Sequence, residues 1–481
     1  MSEINLNTPQ PITKNANKPK GVTVNTASAI VSDTEPKKVP KDSVDIEVGV
    51  FFDGTNNNRN NVNTKGVHKG DSDSYYYDLS NIARLEPAYN GDGNENDKLI
   101  QFGIYIEGIG TEDGQEDDIF GYAAGTGDTG ILEKVKKACI ELAKQIAGRA
   151  KGKKICQLTV DTFGFSRGAA AARNFIHEIS KSKEEGSDTE DISYGKLGEQ
   201  LKSNEIEIGS LSIRFTGLYD TVASYGSLSH KNDTKQLHLD AVAKSLHVLQ
   251  LAADDEHRAN FRLTNIDSAV KKGVGVEKFL PGVHADIGGG YTKNTQESHM
   301  LDYAYKGTVK AFKKPVVYPF FASSAESAME KEQKFLMREG WYGEGELLIT
   351  DEHISYPGKF LDLPIKALRA KRTVVSNQYT YIPLHLMAKY AMNKQVTFNT
   401  EELDYKIEGD FLTAINARLE DYVLNKGEKL SFDNAEDRET VKDLRNQYLH
   451  FSAYYGPDKY YINFIDPHKP EDGRKRIIKE G

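Results

Sequence analysis

Ile155–Ile179, ICQLTVDTFGFSRGAAAARNFIHEI, is the stretch that decides the fold. Its first half, with Ile155, Leu158, Thr159, Val160 and Phe163, reads as a buried strand, being apolar and rich in β-branched residues. Its second half, Ala169 to Ile179, is Ala-rich and places Phe175, Ile176 and Ile179 on roughly one helical face. Between them stands Gly164-Phe165-Ser166-Arg167-Gly168, a G-x-S-x-G pattern in a strand–turn–helix context. So tight a reversal strains the serine backbone and leaves no room for side chains two residues to either side, hence Gly164 and Gly168. Ser166 is then a candidate nucleophile above the sheet edge, and the Arg167 N–H, opening the helix, is a candidate donor to an oxyanion. Without that context the same five residues would read as a glycine-flanked loop serine.

Further candidate strands surround this one. DIEVGVFF runs into Asp53-Gly54-Thr55-Asn56-Asn57-Asn58, and KLIQFGIYIEG into Gly108-Ile109-Gly110-Thr111. Leu211–Leu218 runs into Tyr219-Asp220-Thr221-Val222, and a last strand near Glu277–Val283 into His284-Ala285-Asp286-Ile287 and Gly288-Gly289-Gly290. Helical spacing occurs from Ile131 to Ala147 and from Leu237 to about Phe261. Strands alternating with helices predict an α/β fold, an α/β-hydrolase-like, mostly parallel sheet flanked by helices. Every predicted strand ends in small or chemically capable residues, and such sheets bind ligands beyond their carboxyl ends. After about Leu301 aromatic and charged residues mix, with a helix from Ile382 to Met392 opened by Pro383 and more helix in Glu401–Lys426. The expected organisation is a disordered leader over 1–42, a catalytic domain over 43–300, and an appended cap or C-terminal region over 301–481.

The chain has 481 residues, a net charge of −9 and 38% hydrophobic residues. The negative balance argues against binding nucleic acid by covering phosphates. Two cysteines, Cys139 and Cys156, exclude a disulfide framework and a Cys-based zinc site. No stretch approaches the roughly 18 apolar residues of a membrane span, and the first residues lack the apolar core of a secretory signal. Made without a span or such a signal, the protein is expected to be cytoplasmic in its producer and to leave, if at all, by another route.

A serine hydroxyl needs an imidazole to take its proton, and the imidazole needs a carboxylate to set its tautomer. In the order Ser, acid, His, Asp220 and His284 are the candidates. Asp220 also reads as a turn residue, and His177, His247, His257, His385 and His450 sit in less suitable contexts. The Asp53 loop neighbours the elbow, making Gly54 or Thr55 the expected second oxyanion donor, with an Asp-Gly turn as the plainer reading. Asp53 and Asp286 are expected to support these residues from just outside. Asp53, Asp220, His284 and Asp286 form an alternative divalent-metal set and a metal-dependent phosphoesterase reading. Gly125-Thr126-Gly127-Asp128-Thr129-Gly130 spells G-x-G-x-x-G, but DDIFGYAA before it is a poor strand, so no dinucleotide and no other cofactor is expected. Aromatic patches at Phe320–Phe321, Trp341–Tyr342 and Tyr454–Tyr455 are candidates for resting on a bilayer or are ordinary core.

Taken together, FFDGTNNN (51–58), EGIGT (107–111), GTG (125–127), GFSRGAA (164–170), GLYDTVAS (217–224) and PGVHADIGGGY (281–291) resemble the type VI secretion phospholipase effectors of the first lipase family. The likeness spans about 45–300 and, more loosely, YIPLHLMAKYA (381–391). It implies a Ser166–Asp220–His284 triad and phospholipase A activity on membrane lipids of a competing cell. It also implies a spike or tube protein of the secretion apparatus as partner, and a cognate immunity protein. A soluble acyl ester is the alternative substrate for the same triad. Nothing after residue 300 matches a membrane-docking module.

Overall fold

The computed structural model describes residues 42–64, 72–89, 98–118, 125–182, 193–224, 234–305, 309–311, 314–316, 322–355, 362–455 and 475–481. The expected leader (but for Asp42), DDIFGYAA from Ile119 on and Phe320–Phe321 lie outside them. Val39–Gly481 forms one compact unit.

Its centre is a six-stranded sheet in the order β2-β1-β3-β4-β5-β7, every neighbouring pair parallel. The strands are β1 (Ser43–Phe52), β2 (Leu99–Ile106), β3 (Lys154–Phe165), β4 (Ile208–Tyr219), β5 (His247–Ala253) and β7 (Gly275–Leu280); β6 (Leu263–Thr264) lies outside this sheet. The α/β architecture is as read from the strand–helix alternation. One element differs. The stretch from Leu237 to Phe261 is not a helix but a 3-10 turn, Leu239–Lys244, followed by β5.

Period-2 alternation builds two cores. Val48, Val50, Phe52, Val160 and Val248 face one side, while Phe51, Phe163, Leu249, Leu251 and Ala253 face the other. Short α1 (Arg59–Asn63) and then α2 (Asn81–Tyr89) connect β1 to β2, with α2 packing on the Phe51 side. The Val50 side is covered by α3 (Ile131–Ala150), α4 (Arg167–Ile179) and α5 (Gly195–Ser203). Along α3 the positions Ile131, Val135, Ala138, Cys139, Leu142 and Ile146 are all buried, as their spacing predicts. The chain steps from β1 out to β2 and returns to β3 on the other side of β1. The loops after β1 and β3 therefore part to opposite faces and leave a crevice at the strands' carboxyl ends.

Past β7, α6 (Asp267–Lys271) lies behind and α7 (His284–Gly288) ahead. β8 (Thr295–Tyr305) then joins an antiparallel sheet, β11-β12-β8, with β11 (Leu347–Ser355) and β12 (Asp362–Val375). β9 (Val309–Ala311) and β10 (Lys314–Val316) pair antiparallel, and α8 (Ala322–Arg338) packs against the three-stranded sheet. β8 runs through residue 300. α9 (Tyr381–Met392), α10 (Asp410–Leu424) and α11 (Arg438–Gln447) follow. Ile382, Leu384, Met387 and Ala391 of α9 share a core with Phe163, Phe215 and Leu249, so the later part of the chain supplies much of the second helical layer. β13 (Ile478–Lys479) pairs in parallel with β6. Trp341 and Tyr342 are core residues against Phe451, which removes them from any bilayer contact. Among the described residues no helix is long and apolar enough to cross a membrane.

Candidate active site

Ser166 sits between β3 and α4 with φ 56° and ψ −126°, a conformation costing about 1–3 kcal/mol for a non-glycine residue. Its neighbours impose that turn. A Cβ on Gly164 would lie 2.6 Å from Ala169 Cα, and one on Gly168 would lie 2.2 Å from Asp53 O and 2.4 Å from Phe52 O. The elbow is therefore pressed onto the end of β1, and only glycine fits at either position. The Ser166 N–H donates to Tyr219 O at 3.0 Å, tying the elbow to the strand end that carries Asp220.

Asp220 follows β4 with φ 46° and is fully buried. His284 opens α7, and its Nδ1 lies 2.5 Å from Asp220 Oδ2. An ionised carboxylate only accepts, so Nδ1 carries the proton and Nε2 is left as a base. The other contacts of Asp220 are donors too: the Ala253 N–H at 2.8 Å, and Arg476 Nη1 and Nη2 at 2.6 and 2.8 Å. Burial would raise the Asp220 pKa, but the Arg476 guanidinium and the His284 hydrogen bond hold it well below the usual carboxylate range. Burial pushes the His284 pKa below its ordinary value against the opposing pull of Asp220, which keeps the ring neutral. Phe165 and Phe261 pack on the imidazole at ring distances of 4.6 and 5.0 Å.

Ser166, Arg167, His284, Thr55, Asn56 and Asn57 line one cavity of about 530 Å³ in the crevice between the β1 and β3 loops. The α4 N-terminus, the positive end of its dipole, is beside Ser166. Thr55 Oγ1 accepts from Arg167 Nε at 2.8 Å, joining the two loops. Gly54 is not part of the lining. Its N–H is given to Asp53 Oδ1 at 2.7 Å, and Phe165 crowds its Cα, so it is not available as an oxyanion donor.

Asp53 and Asp286 lie beside the site and hold it. Asp53, whose pKa burial raises, accepts from Ser80 and Tyr105 hydroxyls at 2.5 Å each and fixes the loop after β1. Asp286 accepts from the Val283 and His450 N–H groups and faces His450 Nδ1 at 2.7 Å, fastening α7 to the later part of the chain. The alternative metal set is thus not assembled, since Asp53 and Asp286 turn to other partners. Among the described residues no three His, Cys, Asp or Glu side chains are placed to hold a metal ion. The glycines after His284 allow close passage, for a Cβ on Gly288 would lie 2.0 Å from the Phe165 ring. His177 stacks on His238 and His257 packs by Trp341 and Phe451, neither of them in the cavity.

Two contributors escaped the sequence reading. Glu256 accepts from the His284 N–H at 3.1 Å and pairs with Arg258 at 2.9 Å. Burial would raise its pKa, but the Arg258 guanidinium holds it at about 2. Arg476 reaches Asp220 from far along the chain, and no spacing rule would have flagged it.

The model of the family described as T6SS, phospholipase effector Tle1-like, catalytic domain matches residues 176–307, which include Asp220 and His284 and begin beyond Ser166. The resemblance to type VI secretion phospholipase effectors read from the motifs is borne out by that match. No curated protein matches the chain. A solved structure of the Tle1 effector bound to the VgrG spike of the type 6 secretion system is similar at 22% identity, over 95% of this chain and 98% of that one, with a TM-score of 0.63. At that identity the likeness is one of fold. An uncharacterized protein from Pseudomonas aeruginosa aligns at 17% identity over 83% of this chain and 52% of its own, with a TM-score of 0.36 that bears no weight.

Proposed function

We propose that this chain is a serine ester hydrolase of phospholipase A type, acting on membrane phospholipids as an effector of type VI secretion. The observation that carries the reading is the Asp220–His284 pair lining, through His284, the same cavity as a strained elbow serine. Ser166 Oγ attacks the acyl carbonyl carbon as its proton passes to His284 Nε2, and Asp220 holds the imidazolium through Nδ1. The backbone N–H groups of Arg167 and Thr55 receive the oxyanion. As the tetrahedral species collapses, the C–O bond to the lysophospholipid breaks and His284 returns the proton to the leaving oxygen. Water, deprotonated by His284, then frees the fatty acid from Ser166.

The family match over 176–307 supports a phospholipid as the acyl donor. A spike protein of the secretion apparatus is the proposed delivery partner, as the similar effector was solved on one. A cognate immunity protein in the producer completes the proposal. The test is lipid-product analysis of phosphatidylethanolamine–phosphatidylglycerol vesicles with wild type beside Ser166→Ala. Wild type should release fatty acid and lysolipid, and the variant should lose on the order of 10⁶-fold in turnover while staying folded. Equal hydrolysis by both would remove Ser166 from the chemistry. Release of phosphate or head group in place of fatty acid would overturn the acyl-ester assignment.

A further inference from the structure

We infer that Arg476 is a positioning residue of this active site, delivered by a strap formed from residues 475–481 that holds the Asp220 carboxylate and keeps a fixed cation behind the His284 base. The inference rests on the triad reading above.

The strap is held by a small two-stranded sheet beside the site, apart from the central sheet whose β4 leads into Asp220. β13 pairs with β6 in the register Ile478–Leu263 and Lys479–Thr264. The Leu263 N–H donates to Ile477 O at 3.0 Å and the Asn265 N–H to Lys479 O at 2.9 Å, and the Gly481 N–H meets Asn265 Oδ1 at 2.9 Å. β6 is in turn registered on the site, because the Thr264 N–H donates to Thr221 O at 2.9 Å, one residue past Asp220. The short ladder and that one backbone hydrogen bond thus connect the strap to the residue after the triad acid.

From this strap the guanidinium is nearly fully buried and makes two parallel bonds to Asp220, the fork–fork geometry that fixes a carboxylate plane. Its Nε donates to Phe261 O at 2.8 Å and Nη1 also reaches Ala253 O at 3.2 Å. Phe261 packs edge-on against His284, so the same arginine steadies the carboxylate on one side of the ring and an aromatic wall on another. Arginine suits this place as lysine would not, since one ammonium cannot reproduce a planar fork.

The charges around His284 give the arrangement a second consequence. Asp220 faces its Nδ1 with Arg476 behind, and Glu256 takes its backbone N–H with Arg258 paired behind that. On its own helix Asp286 is turned to His450. Two carboxylates are matched by two guanidinia, so their support of the imidazolium is tempered and burial keeps the resting ring neutral. Removing Arg476 leaves an unmatched carboxylate, which favours the imidazolium and raises the pH at which the base becomes available.

The test is the pH profile of kcat/KM for p-nitrophenyl butyrate with the full chain, comparing wild type, Arg476→Ala and Arg476→Lys. Arg476→Ala should lose roughly 10- to 100-fold in kcat/KM, the range expected when a reacting group is misplaced by about an ångström, and its acid limb should move to higher pH. Arg476→Lys should keep the acid limb at the wild-type pH while recovering only part of the rate. A folded Arg476→Ala with wild-type kcat/KM, or with a reduced rate and an unmoved limb, overturns the inference. Should Arg476→Ala fail to fold, Arg476→Lys decides: a lower kcat at unchanged KM upholds the role of the fork, and wild-type kcat overturns it. Ser166→Ala, run in parallel, separates the two readings, because wild-type turnover by that variant defeats the triad whatever Arg476 does.

Discussion

Asp220→Asn is the substitution whose outcome the geometry specifies most fully. The carboxylate faces four donors and no acceptor: His284 Nδ1 at 2.5 Å, Arg476 Nη1 and Nη2 at 2.6 and 2.8 Å, and the Ala253 N–H at 2.8 Å. An asparagine has one oxygen and one NH2, so whichever way the amide turns, its NH2 meets a donor. In place of Oδ2 the NH2 meets His284 Nδ1 and Arg476 Nη2, and it imposes the tautomer protonated on Nε2, which cannot accept the Ser166 proton. In place of Oδ1 it meets the Ala253 N–H and Arg476 Nη1, so in either orientation a buried guanidinium nitrogen loses its acceptor on Asp220. The expected loss in kcat is on the order of 10⁴-fold, about 5 kcal/mol of barrier. The fold should lose about 3–5 kcal/mol as well, because Arg476 keeps a buried charge without its anion. Burst-free steady-state hydrolysis of p-nitrophenyl butyrate gives the first quantity, and urea unfolding followed by circular dichroism gives the second. A folded Asp220→Asn variant within tenfold of wild-type kcat would refute the donor-convergence argument.

Three further outcomes follow from the same site. Gly168→Ala should lower the melting temperature and abolish ester hydrolysis, since the added Cβ would lie 2.2 Å from Asp53 O and 2.4 Å from Phe52 O and overpacking typically costs about 1–3 kcal/mol; an unchanged melting curve would contradict it. The acid limb of wild-type kcat/KM should fall below the ordinary histidine value of about 6.5, with rate rising as pH rises, because burial favours the neutral His284 ring; a limb above that value would contradict it. Glu256, held at about 2 against an ordinary 4.5, contributes stability that is complete above the unfolded value and is lost as pH falls from 4.5 toward 2. That difference is worth about 3 kcal/mol, so wild type should weaken between pH 6 and pH 3 in urea titrations more than Glu256→Gln does, and equal slopes would contradict it.

The parts of this structure legible in the sequence are those whose signals are local. The elbow announces itself because Gly164 and Gly168 are each forced by backbone within a few residues or at one strand end. The positions along α3 could be named in advance because a helix with one buried face shows its period. β5 could not. In HVLQLAA both faces are buried, so the run is apolar without alternation and periodicity cannot tell strand from helix. β12 hid for the opposite reason: Arg372 occupies a core position, neutralised by Glu297 from β8 at 2.5 Å, and a charged residue there breaks the alternation that marks a half-buried strand. Among the site residues, Asp220 and His284 could be chosen by chain order. Between Gly54 and Thr55 the sequence could not choose, because the direction of an N–H depends on the turn, and here the Gly54 N–H is given to Asp53. Glu256 and Arg476 are set by tertiary contact alone, Arg476 arriving through β13 and β6, and each reads as an ordinary surface charge until the chain is folded.

The measurement that bears most directly on the Ser166–His284–Asp220 relay is fluorophosphonate labelling of the folded full chain, read by intact mass and by the mass of the peptide that carries the elbow. An activated serine should give one adduct, on Ser166, formed quickly in wild type and suppressed in Asp220→Asn. Folded wild-type protein that takes up no label at Ser166, or that labels as fast without the Asp220 carboxylate as with it, would contradict the relay.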